Sequence, residues 1–199
     1  MGGATGPERL PPLAPERMTP RQREVAEAIA GGPRGGLRGP FQAWLRSPEV
    51  ADRFQRVGEY VRFGSSIPAA LNELAILVTA REWTAQFEWH AHHALAMKAG
   101  LPPAIAEAIA RGERPAGMDA DQRVVYEFAT ELHRERSVSD ATYAAVVERF
   151  GERGLVDLVA ACGYYVAVAM TLNVARVPLP EGVSPPLAPL PGLPRGGAA

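Results

Sequence analysis

Residues 71–100, LNELAILVTAREWTAQFEWHAHHALAMKAG, hold the side chains whose types and spacing could do chemistry, because ionisable groups there interrupt an otherwise apolar pattern. Four matter: Glu73, Glu88, His90 and His92. Glu88 and His92 are four apart, so on a helix they share a face, and the carboxylate can hold the imidazole in one tautomer as an acid/base pair. The same spacing also suits an exposed pair worth ~0.3 kcal/mol, and spacing alone leaves both readings open. Glu73 stands just before the apolar run 74–78. There it either complements a helix N-terminus or points into a pocket lined by that run, where it could move a proton.

A metal centre is not expected. Glu88, His90, His92 and His93 offer one carboxylate and three imidazoles. Residues two apart on a helix point about 200° apart, however, so His90 cannot join Glu88 and His92 in one coordination sphere. The single cysteine, Cys162, sits among Ala, Leu and Val, where a thiol packs as a small hydrophobe rather than reacting. Tyr164, Tyr165 and Asn173 are polar handles in the same stretch. They either border a pocket or satisfy one another in a subunit interface.

The elements that must position these groups read as helices. Thr19-Pro20 and Ser47-Pro48 each place a capping hydroxyl before a helix-starting proline, predicting helices over 20–30 and from 48 to Phe63-Gly64. Residues 68–80 form a strongly apolar helix, and 80–98 continue in helical register to a stop at Gly100. Shorter or later helices follow over 102–111, 119–135, 139–150 and 154–175. No segment alternates with a period of two, so the fold class is all-α. Pro- and Gly-rich composition marks 1–18 and 183–199 as flexible tails around one domain, 19–182.

Charge narrows the partners. With 21 Lys and Arg against 22 Asp and Glu, nothing calls for a nucleic acid. The apolar run 155–177 is interrupted by Asp157, Asn173 and Arg176, and reads as the buried centre of a helical bundle rather than a membrane span. One cysteine and no signal-type start point to the cytoplasm.

Three stretches, 39–68, 72–101 and 163–182, together resemble the carboxymuconolactone decarboxylase family, within the alkylhydroperoxidase D-like fold. The middle one carries the specificity. Phe87-Glu88-Trp89-His90-Ala91-His92 resembles the aromatic-Glu-Trp-x-x-His form of the family motif, with Glu73 at the place of its upstream glutamate. Aligned on His92, Ala85 and Glu88 occupy the positions of the two redox cysteines of peroxidase members. Dithiol peroxidase chemistry therefore has no residues to run on.

The resemblance implies an oligomeric helical protomer, a trimer or hexamer, acting on a small-molecule substrate. It implies a carboxy-lyase of aromatic catabolism that removes carbon dioxide from an unsaturated acid or lactone by acid/base chemistry, without cofactor. His92 would donate the proton, Glu88 would orient it, and Glu73 would be the second acid/base group. His90 and Arg62 would bind the substrate carboxylate, and Trp89 would shape the pocket wall. The alternatives are an alkylhydroperoxidase-like protein without the cysteine pair and a non-catalytic binding or scaffold member of the fold.

Overall fold

The computed structural model describes residues 6–190, and every regular element among them is helical. After a one-turn 3-10 helix, Pro15–Arg17, the order is α1 (Pro20–Ala30), α2 (Phe41–Trp44), α3 (Pro48–Phe63), α4 (Ala69–Glu82), α5 (Gln86–Lys98), α6 (Pro103–Ala110), α7 (Ala120–Glu135) and α8 (Asp140–Ala175). The all-α reading holds. Local chemistry explains the starts. Thr19 accepts from the Gln22 backbone while the Gln22 side chain accepts from the Thr19 backbone, a reciprocal cap that Asp119 and Gln122 repeat at α7. Ser139 caps α8 through the backbone N–H of Thr142.

Helix α4 is the axis of the molecule. All residues from Leu71 to Arg81 are buried, so the helix is enclosed all round and has neighbours on every side. Leu74, Leu77, Trp89, Ile105, Phe128 and Leu158 form one cluster, between α4 and the helices α5 to α8. On the other side, Ile29, Trp44, Val61, Ile76, Tyr165 and Leu172 form a second, which α1, α2 and α3 close over α8. Each such side chain, fully buried, contributes about 1.5–3 kcal/mol.

Helical register does not run unbroken from 80 to 98. Thr84 takes a left-handed φ of 47°, and Arg81 pins the turn by donating to Thr84 Oγ1 at 2.8 Å and to the Ala110 carbonyl at 3.0 Å. Lacking glycine or proline, this turn has no compositional mark in the sequence. Its effect is to fold α5 back along α4. In α8, Gly151 adopts φ 68° and ψ 176°, interrupting the helix between the two stretches that the sequence reads as separate. By length and composition α8 could cross a membrane, with a mean hydropathy of 1.8 over its most apolar window, yet half of that window is buried inside the protein.

The parts of the expected tails that are described lie against the bundle. Arg9 donates its backbone N–H to the Ala175 carbonyl at 2.8 Å. Leu187 joins the first apolar cluster, and its backbone exchanges two hydrogen bonds with the Gln86 side chain, of 2.8 and 3.0 Å. One buried leucine and a two-way amide contact hold this stretch at the start of α5. Residues 1–5 and 191–199, also assigned to the tails, lie outside the described residues.

Candidate acid–base site between α4, α5 and α8

Glu73 occupies the second turn of α4, and two anchors position that turn. Asp157 of α8 accepts from both the backbone N–H and the hydroxyl of Ser66 at 2.7 Å, fixing the loop that leads into α4. Asn72 donates its amide to the Val61 carbonyl at 3.0 Å, tying α4 to α3. From α5, His92 then meets Glu73 across the helical hairpin, with Nδ1 and Oε2 2.7 Å apart and both residues 8% exposed. A carboxylate acceptor keeps the shared proton on Nδ1 and leaves Nε2 as the free lone pair. Nε2 makes no hydrogen bond among the described residues.

The partner of His92 is therefore Glu73, not Glu88. Glu88 stands one turn earlier on α5, is 2% exposed, and neither of its oxygens has a hydrogen-bond partner among the described residues. Burial pushes its carboxyl well above the ordinary range. An i,i+4 contact worth a few tenths of a kcal/mol cannot offset the desolvation of a lone carboxylate, so the group stays a neutral acid. In place of an orienting base, α5 presents a proton donor.

Two tyrosines of α8 wall the site. The Tyr165 ring meets the His92 ring edge-on at 4.7 Å, and Tyr164 packs perpendicular to Tyr165 at 5.2 Å. Burial raises both phenols, Tyr164 to about 12, so each keeps its proton at neutral pH. Arg62, half-buried at the end of α3, adds a positive charge that opposes the rise at both. Its guanidinium also lies 5.0 Å from the Phe63 ring centroid.

His90 and Trp89 fall elsewhere. His90 is half-buried, and no hydrogen bond or ring contact joins it to Glu73, Glu88 or His92. Trp89 is buried in the first apolar cluster, 6.2 Å from the His93 ring, and fills core rather than lining the tyrosine wall. A helix turns about 100° per residue, so neighbours of His92 in sequence need not be its neighbours in space.

Cys162 is sealed, and burial lifts its thiol to about 12, which leaves it protonated and unreactive. Near it, Thr79 donates to the Ala75 carbonyl and so accepts from His133 Nε2–H at 2.8 Å. Burial, helped by Arg136, lowers His133 to about 4, so this imidazole is a neutral core group. Among the described residues no three His, Cys, Asp or Glu side chains gather as a metal site would require.

The helical hairpin thus buries a carboxylate–histidine pair one turn from a carboxylic acid that burial keeps neutral. Residues 48–131, from the start of α3 into α7, match the model of the Carboxymuconolactone decarboxylase family. That segment, which contains Glu73, Glu88 and His92, is similar to this family. The match is narrower than the resemblance read over 39–182, leaving α1, α2, the end of α7 and all of α8 outside it. A comparison with curated proteins finds no match.

Proposed function

We propose that the protein is a carboxymuconolactone decarboxylase-like enzyme, a carboxy-lyase that acts on a small unsaturated carboxylic acid or lactone by cofactor-free acid/base chemistry. The observation that carries this reading is the buried 2.7 Å hydrogen bond between Glu73 and His92, next to the neutral Glu88. In the reaction the bond to the leaving carboxylate breaks, carbon dioxide departs, and the electron pair delocalises through the unsaturated system onto the carbonyl oxygen. The Glu88 O–H donates a hydrogen bond to that developing oxyanion. His92, having taken a proton from solvent at Nε2, then delivers that proton to carbon, and Glu73 stabilises the imidazolium before the transfer.

Peroxidase chemistry is disfavoured, because the only thiol in the sequence is buried and protonated. Self-association as a trimer or hexamer is part of the proposal. Exposed Val57, Tyr60 and Phe63 on α3, with Val156, Val159, Met170 and Val174 on α8, would be covered by further copies of the chain. Light scattering on the purified protein tests this, and a monomeric mass would refute it.

The direct test of function follows carbon dioxide release from γ-carboxymuconolactone by wild type and His92→Gln. Release by wild type that falls 100-fold or more in the variant, the lower range for a lost proton-transfer group, is expected. Binding of the lactone without turnover by wild type would instead mark a non-catalytic member of the family.

A further inference from the structure

Arg34 lies in the loop between α1 and α2, before the segment that matches the family. Its Nε and Nη2 are enclosed, yet neither has a hydrogen-bond acceptor among the described residues. Sealed donors without acceptors cost folding free energy, and a guanidinium is an expensive group to leave so. These two nitrogens share one edge of the guanidinium, the edge whose parallel N–H bonds fit both oxygens of a carboxylate.

The surroundings set the direction of that edge. A Cβ on Gly58 would come within 2.4 Å of Arg34 Nη2 and 2.2 Å of Tyr164 Oη, so arginine and phenol meet over the one turn of α3 that lacks a side chain. The guanidinium also lies 5.0 Å from the centroid of the Phe41 ring. Arg34 stands close enough to Tyr164 that its charge and a side-chain hydrogen bond both oppose the rise of the phenol, yet no contact of regular geometry satisfies Nε or Nη2 among the described residues. Tyr164 packs on Tyr165 and Tyr165 on His92, so Arg34 and the acid–base pair stand at opposite ends of one aromatic wall.

We propose that Arg34 is the carboxylate anchor of the site, gripping a planar carboxylate through Nε and Nη2 with the Tyr164 hydroxyl as an additional donor. The anchored group is one the substrate keeps. An ion pair to the leaving carboxylate would stabilise the ground state against loss of carbon dioxide, and so oppose the reaction. The substrate class is thus a small unsaturated acid or lactone with a second carboxylate, retained in the product. The placing of its reacting end at His92 rests on the acid–base reading above; the anchor itself does not.

The test is calorimetric titration with benzoate and with its neutral counterpart benzamide. Wild type and His92→Gln should each bind benzoate at least tenfold more tightly than benzamide. Arg34→Met should abolish that preference, and Arg34→Lys, a charge without the fork, should keep only part of it. Thermal unfolding of Arg34→Met should occur at or above the wild-type Tm, since two unanswered donors are gone. A benzoate preference undiminished in either Arg34 variant, or absent in wild type, overturns the anchor. Should Arg34→Met not fold, the Arg34→Lys titration decides. Lack of carbon dioxide release by wild type, with the Arg34-dependent preference intact, would sink the decarboxylase reading and leave the anchor standing.

Discussion

Replacing Glu88 by Gln separates a buried neutral acid from an ordinary carboxylate. Both carboxyl oxygens are sealed without partners, and burial raises the group well above its ordinary value of 4.5. The folded state therefore holds a proton that the unfolded chain releases at about pH 4.5, and stability falls as pH rises from there toward the folded value. Within that window the loss approaches about 1.4 kcal/mol per pH unit. With a urea m-value of roughly 1–3 kcal/mol/M, one pH unit should move the unfolding midpoint by about 0.5–1.4 M. His133 acts with the opposite sign. Its imidazole is lowered to about 4, so it adds stability as pH rises through 4 to 6.5. That contribution is common to both proteins and cancels in the difference. Urea titrations at pH 5, 7 and 9 should show wild type and Glu88→Gln nearly equal at pH 5, with the variant increasingly the more stable above it. Parallel midpoints across the three pH values would refute a protonated Glu88, and with it the donor role in catalysis.

Glu73→Gln removes the charge that stabilises the His92 imidazolium while preserving shape, and should lower kcat by roughly 100-fold or more with little change in KM; an unchanged kcat in steady-state assays would remove Glu73 from the mechanism. Gly58→Ala places a Cβ 2.3 Å from Tyr164 Cζ, in a ring held by Trp44, Phe54 and Tyr165. Overpacking of that kind should cost about 1–3 kcal/mol in chemical denaturation, and a neutral substitution would mean that the Tyr164 wall yields. Leu187→Ala empties a fully buried site and should cost about 2–5 kcal/mol. A cost near zero would show that the stretch after Gly182 contributes nothing to the fold.

Much of the scaffold is a local matter and was legible in residue order. The limits of α1 and α3 follow from Thr19-Pro20, Pro48 and the glycines that end them, because capping and proline geometry act within a few residues; the hydroxyl of Ser47, expected to cap α3, makes no capping hydrogen bond, and proline alone marks that start. The split of α8 at Gly151 and the inert character of Cys162 follow from composition in the same way. Glu73, Glu88 and His92 stand out as ionisable groups in an apolar stretch, and they lie within the segment that matches the family.

Their pairing belonged to the tertiary structure. On one straight helix Glu73 and His92, nineteen residues apart, would be separated by about 28 Å. The turn at Thr84 brings them to 2.7 Å, and no glycine or proline announces it. Spacing favours Glu88 for His92 because i,i+4 proximity is a property of any helix, whereas burial is a property of what packs on it. The helices around α5 deny Glu88 both water and a partner, and so turn an expected orienting base into a neutral acid. Arg34, in a Gly-rich loop that reads as a mere connection, and Tyr165, well over a hundred residues further on, are joined to the site through α3 and α8, by contacts that exist only once the chain has closed around α4.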